Sequence, residues 1–384
     1  MSENLRIKSN KIVTPDGIKT GYIYIENGVI TELSNNAKDG YKEVDCTDFY
    51  VSPGFIDIHT HGAGGNAFLN SSCDAVLKGC DFHLNHGTTT ILPTVSASPF
   101  VDMKDAVKNI ADAMDSGKAK GNILGAHLEG PYLSAKQCGA QCPDFITPPI
   151  EAEYKELISN YAPYIKRWTY APENDTDGSF CKYLADNGII VSAGHTDAKL
   201  EDIDRAIANG CNLITHLYSC TSTVTRNMGF RSLGVIESAY LRDALYVEII
   251  ADGKHLPKEL VQMIVKIKGI DKVALITDSL EIAGTEIKEG VMGGTPFIVE
   301  DGVCKLSDRS AFAGSVATAD KLLKFMVSEA GFNICDAVTM LTKTPAEILS
   351  VNKGLIASGF DADLTIFDEN FNVQKVFVGG TQVK

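Results

Sequence analysis

Between residues 54 and 278, short apolar runs with strand character alternate with stretches whose apolar positions recur every three to four residues. That alternation is the pattern of βα units laid around a parallel sheet. Strands are predicted at 54–59, 88–95, 123–129, 165–171, 189–195, 213–216, 244–251 and 273–278, with helices between several of them at 102–114, 177–187, 199–209 and 257–268. Eight such units fit an α/β fold of the (β/α)8 TIM-barrel type, which gathers its chemistry at the carboxyl ends of the strands.

Both ends of the chain follow a different pattern. Residues 4–51 read as short strands with turns at Pro15-Asp16-Gly17 and Asn27-Gly28, and residues 353–384 again alternate strand-like runs with Gly, Asn and Asp breaks. The two ends are expected to pair as a small β-sandwich domain, 1–52 with 352–384, beside a barrel domain of 53–351. Within the latter, 284–306 reads as an inserted hairpin turning at Asp301-Gly302, and 315–330 as the closing helix.

Composition narrows the classes. With 384 residues, 44% hydrophobic and 22% charged, the chain is globular, and collagen, coiled coil and general disorder are excluded. Its 35 Lys and Arg against 49 Asp and Glu leave a net charge of −14, so neither nucleic acid nor a membrane surface is expected as a partner. An anionic small molecule remains compatible, because local cations, backbone N–H groups or a metal outweigh the average field inside a cleft. The start MSENLRIKSNKIV lacks a basic segment followed by an apolar stretch, and the ten cysteines form no Cys-x-x-Cys pair; a cytoplasmic location with reduced thiols is expected.

Of eight histidines, His59 and His61 end the first predicted strand, His195 the fifth and His216 the sixth, while His255 follows the seventh. Glu129 and Asp278 end the third and eighth. One rim would thus gather four imidazoles and two carboxylates, ligands suited to Zn²⁺, Fe²⁺, Mn²⁺ or Co²⁺, with His255 nearby. A lone histidine at a strand end commonly meets solvent or packs in a core. Six convergent groups do not fit that reading, and in His59-Thr60-His61 the period of two sets both rings on one side of a strand. His127, two residues before Glu129, either orients that carboxylate or packs in the core. His83 and His86 are assigned to packing.

The set PGFIDIHTHG (53–62), HLEGPYLS (127–134), AGHTDA (193–198), THLYS (215–219), ADGKH (251–255), ITDS (276–279) and AGS (313–315) resembles the amidohydrolase superfamily, and within it the N-acetylglucosamine-6-phosphate deacetylase family. The resemblance spans essentially the whole chain. The HLEGP element is its most specific piece, since many relatives use a carboxylated lysine where these deacetylases use glutamate. Carried over, it implies that Glu129, His195 and His216 bind the principal metal and that His59 and His61 hold a second ion or complete the site, for one or two ions per subunit. Asp278 would serve as general base and then acid, with His255 polarising the acetyl carbonyl. A bound divalent ion would supply the activation that amide hydrolysis needs, lowering a water's pKa from ~15.7 toward 7.

For the substrate, the resemblance places Gln141 against the sugar and Ser219 and Cys220 near its phosphate, where the family commonly has Asn-Ala. The family's phosphate arginine, often donated by a neighbouring subunit, has its nearest match in Arg226, with Arg231 second. A homodimer and an amino-sugar phosphate substrate are implied. The alternatives keep the chemistry with N-acetylgalactosamine 6-phosphate or an N-acyl amino acid, or make the chain a non-catalytic scaffold. The competent side chain at every metal and proton-transfer position speaks against the scaffold.

Overall fold

The computed structural model describes residues 4–292 and 294–384. Its centre is a barrel of parallel strands: β1 (Phe55–Thr60), β2 (Thr88–Ser96), β3 (Ala126–Glu129), β4 (Ile165–Tyr170), β5 (Ile190–Ala193), β6 (Cys211–Ile214), β7 (Tyr246–Ile250) and β8 (Val273–Ile276). They pair in chain order from β1 to β8. At the mouth β8 meets β1: the Asp278 N–H donates to His59 O at 2.9 Å, the His61 N–H to Ser279 O at 2.8 Å, and the Thr277 hydroxyl to Asp57 Oδ2 at 2.6 Å.

Strand alternation decides what faces which layer. On β4, Trp168 and Tyr170 join the apolar cluster shared with the surrounding helices, whereas Arg167 and Thr169 hydrogen-bond side chains across the barrel. The helices answer with apolar stripes: Phe100–Asp115 buries Met103, Ala106, Val107, Ile110, Ala111 and Ala113, the spacing of a single helical face. Leu200–Ala208 and Lys258–Lys268 lie within one residue of their predicted spans.

The two chain ends do come together. Leu5–Thr14, Gly17–Glu26, Val29–Ser34 and Tyr50–Pro53 pair with Leu364–Phe367 and Val373–Val378 in a mostly antiparallel sandwich. A bulge between Ser9 and Ile12 bends its long first strand, and the strands enclose their own core of Ile7, Ile12, Ile23, Val51, Leu364 and Phe377. Asn27 and Gly28 take φ of 51° and 82°, the left-handed pair a tight hairpin requires.

One element is larger than the pattern implied. Instead of a hairpin, the insertion is, among the described residues, a four-stranded antiparallel sheet of Glu289–Met292, Thr295–Glu300, Val303–Leu306 and Phe312–Gly314. The turn at Asp301-Gly302 is present, and the added final strand, three residues long, is too short to show a period. The closing helix runs over Ala319–Ser328. Among the described residues no helix is long and apolar enough to cross a membrane, and all ten cysteines are free.

Candidate active site

Six side chains converge at the barrel mouth because five strand ends deliver them there. His59 lies in β1 and His61 just beyond it; Glu129 ends β3, and His195, His216 and Asp278 follow β5, β6 and β8 by two residues each. All six are buried. Three of them, His195, His216 and Asp278, sit at φ of 45°, 26° and 46°. Left-handed backbone at residues other than glycine is strained and collects at functional sites; here the sheet imposes it where the side chains must turn inward.

The ligand atoms form three overlapping groups within 4.8 Å: His59 with His216 and Asp278, His59 with His61 and Glu129, and Glu129 with His195 and His216. Glu129 links two of them. Its Oε1 lies 3.0 Å from His216 Nε2 and 3.2 Å from His195 Nε2, and its Oε2 accepts from Gln141 Nε2 at 2.6 Å. Asp278 Oδ1 lies 3.2 Å from His61 Nε2 and 3.5 Å from His59 Nε2.

The electrostatics are those of mutually dependent charges. Burial works against a charged His59 ring, but the Glu129 and Asp278 carboxylates override it and lift the ring to about 10. Burial likewise opposes the charge on Glu129 and Asp278, and the facing imidazoles hold both below the ordinary carboxylate range. The Nε2 atoms of His195 and His216 face one another at 3.1 Å, and that of His59 is buried without a hydrogen bond of normal geometry. Imidazoles and carboxylates crowded around such an atom fit a divalent cation.

Several outer groups fix these ligands. His61 Nδ1 meets Ser96 Oγ at 3.0 Å, His195 Nδ1 meets Gln137 O at 3.0 Å and His216 Nδ1 meets Ser219 O at 3.1 Å, which leaves Nε2 of each ring facing the cluster. Among the described residues His127 makes no hydrogen bond to Glu129; it bridges Thr94 Oγ1 and Thr169 Oγ1 and packs edge-on against His59. The carboxylate is oriented by Gln141 instead, whose Oε1 also accepts from the Ala97 N–H at 2.9 Å.

Above the cluster lies a cleft of about 250 Å³, lined among others by His61, Glu129, Gln141, Ser219, Cys220, His255, Asp278 and Phe312. His255 Nδ1 is held by Asp252 Oδ2 at 2.8 Å. Arg226 is elsewhere: it pairs in register with Arg231 on an exposed hairpin of Thr225–Asn227 and Phe230–Ser232. Three contributions escaped the sequence reading: the Gln141 contact to Glu129, Asp252 under His255, and the buried Glu248 beside His59. An acidic residue inside an otherwise apolar strand, as in Tyr246–Ile250, is the signal that marks Glu248.

Comparison with known proteins agrees with this geometry. Residues 50–383 match the model of the amidohydrolase family. The N-acetylglucosamine-6-phosphate deacetylase of Bacillus subtilis is 33% identical over 384 residues, covering 97% of this chain and 95% of the relative. An N-acetylgalactosamine-6-phosphate deacetylase of a Shewanella species is 30% identical over 329 residues, covering 85% and 81%. Among solved structures, a mutant N-acetyl-D-glucosamine-6-phosphate deacetylase of Mycobacterium smegmatis, in complex with N-acetyl-D-glucosamine-6-phosphate, superposes with a TM-score of 0.92 at 25% identity and full coverage of both chains. A metal-ready ring at the mouth of a barrel and similarity along the whole length lead to one assignment: the chain belongs to the amidohydrolase family.

Proposed function

We propose that this protein hydrolyses the N-acetyl group of N-acetylglucosamine 6-phosphate, releasing glucosamine 6-phosphate and acetate in amino-sugar metabolism. The observation that carries the reading is the ring of His59, His61, Glu129, His195, His216 and Asp278 beneath a cleft, in a chain similar throughout to deacetylases of that substrate. Glu129, His195 and His216 would hold the principal ion, of Zn, Fe, Mn or Co type, and His59 and His61 a second or the remainder of the site. Such an ion supplies Lewis acidity, lowering the pKa of water and drawing charge from an acetyl carbonyl.

The chain's own groups do the rest. Asp278, kept ionised by its histidine neighbours, accepts the proton of the attacking water and delivers it to the departing sugar nitrogen. His255, fixed through Nδ1 by Asp252, presents its other edge to the carbonyl oxygen as charge develops there. Gln141, Ser219 and Cys220 line the sugar's side of the cleft. Arg226 would meet the phosphate across a two-fold interface: Met228 and Phe230, on the same hairpin, are 92% and 80% exposed, an apolar tip suited to cover by a second copy. We further assign residues 1–52 with 352–384 to one domain and 53–351 to the other, and place the homodimer in the cytoplasm.

Acetate release by metal-reconstituted protein tests the substrate. N-acetylglucosamine, with and without its 6-phosphate, is compared with N-acetylgalactosamine 6-phosphate, the substrate named for the Shewanella relative. Strong preference for N-acetylglucosamine 6-phosphate is expected. Preference for the galacto epimer reassigns the sugar, and no release from any of them with metal bound discards the substrate class.

A further inference from the structure

Arg167 of β4 and Glu248 of β7 are both fully buried inside the barrel, below the ring of ligands. The guanidinium pairs with both carboxylate oxygens, Nη1 with Oε1 and Nη2 with Oε2, the latter at 3.0 Å. Arg167 Nε donates to Ser192 Oγ at 3.0 Å and Nη2 to Thr169 Oγ1 at 3.5 Å, and the other contacts of the pair fall on two short segments. Arg167 Nη1 donates to Ile58 O at 3.1 Å and Nη2 to Thr215 Oγ1 at 2.8 Å. Glu248 Oε2 lies 3.4 Å from His59 Nδ1 and accepts from the His216 N–H at 3.3 Å. The cation thus grips residues 58 and 215 and the anion residues 59 and 216, one ligand-bearing strand end on each side.

A barrel core has no need of two ions. Burying them is costly, and an apolar pair of equal volume generally packs as well or better. What the ions supply is direction. A carboxylate at His59 Nδ1 favours a proton on that nitrogen, so that Nε2, which faces Glu129 Oε1 at 3.3 Å, is the nitrogen that would offer its lone pair to an ion. The same carboxylate oxygen anchors the backbone of His216 at its strained turn. We propose that Arg167 and Glu248 act together as a positioning unit for the metal centre, fixing the His59 tautomer and the spacing between the His59 and His216 ligand groups.

The inference rests on the metal reading above, and the two fail differently. Co²⁺ affinity, by competition with a chelator, is compared between the parent and the double variant Arg167→Met, Glu248→Gln, which removes both charges at once. The variant should fold like the parent without metal, by circular dichroism and melting temperature, yet bind Co²⁺ 10- to 100-fold more weakly and with an altered visible spectrum. Parental affinity and spectrum would overturn the positioning role alone; a parent that binds no divalent ion would overturn the metal reading itself. Should the variant fail to fold, nitrogen NMR of the Zn²⁺-loaded parent decides. A His59 ring metallated at Nε2 and protonated at Nδ1 supports the role, and one metallated at Nδ1 refutes it.

Discussion

The barrel mouth and the hairpin of residues 225–232 are built in opposite ways. At the mouth, the candidate ligands are buried, and three of the six groups there sit at left-handed backbone angles. On the hairpin, three residue pairs are the whole regular support, and its apolar tip meets solvent. The difference separates two demands. Chemistry needs atoms fixed to fractions of an ångström, which strand ends supply; recognition of a substrate's far end, the role proposed for the hairpin, tolerates a surface excursion.

The largest expected effect lies at the mouth. Asp278→Asn keeps the shape of the carboxylate but cannot take a proton from water. Turnover should fall by about 10³-fold, roughly 4 kcal/mol of barrier, while metal content measured on the purified protein stays at the parental level. Near-parental turnover would remove Asp278 from its role. Chelation of the parent before assay should abolish acetate release, with recovery on adding back the ion.

The mouth also contains its own control. His59 and His83 are both fully buried, and the Thr60 hydroxyl touches His83 Nε2 at 3.0 Å. Carboxylates surround His59, whereas His83 Nε2 meets that hydroxyl and Gly62 O and the nearby Asp320 raises its ring only weakly, so burial dominates and pushes the ring down to about 4. The unfolded chain binds that proton first, at about 6.5. The stability linked to His83 is therefore fully present above about pH 6.5 and is lost as pH falls toward 4, by about 3 kcal/mol in total. His83→Gln keeps an N–H for Gly62 O and removes the titration, so its denaturant midpoint should fall less than the parent's between pH 7 and pH 4.5. Equal declines would break the contrast between the two histidines.

How much of this was legible in the sequence follows the same division. The barrel strands were readable as repeated apolar runs, and the six converging groups because five of those runs, 54–59, 123–129, 189–195, 213–216 and 273–278, end in a histidine or a carboxylate, and the fold fixes where such ends gather. The pairing of Arg167 with Glu248 was not, because the acid inside its apolar strand marks Glu248 alone, and only barrel closure brings the Arg167 guanidinium to it. The resemblance set Gln141 against the sugar; its contacts to Glu129 and the Ala97 N–H are long-range ones that no local pattern carries. The fourth strand of the insertion was invisible for want of length.

On the hairpin, Arg226→Ala should raise KM for the phosphorylated sugar about tenfold, roughly 1.4 kcal/mol, with kcat little changed. The unphosphorylated sugar should show no change, and Arg231→Ala a smaller one. Replacing Met228 and Phe230 together by serine should reproduce the Arg226→Ala phenotype and shift the sedimentation equilibrium toward monomer. If KM rises equally for both sugars, the hairpin does not read the phosphate.

The smallest effect expected is on the inserted sheet, which shares features of both regions. Phe312 opens the last strand of that sheet, lines the cleft, and tilts its ring over His255 with centroids 4.9 Å apart. It belongs to an excursion, as Arg226 does, yet it rests on a residue placed in the chemistry. An apolar ring at a cleft wall contributes contact area that substrate and transition state share equally. Phe312→Leu retains part of that area, so KM should rise about threefold, somewhat under 1 kcal/mol, with kcat unchanged. A fall in kcat with KM held constant would mean that Phe312 sets the pose of His255, and the line between fixed chemistry and adaptable recognition would then run through the insertion rather than around the barrel.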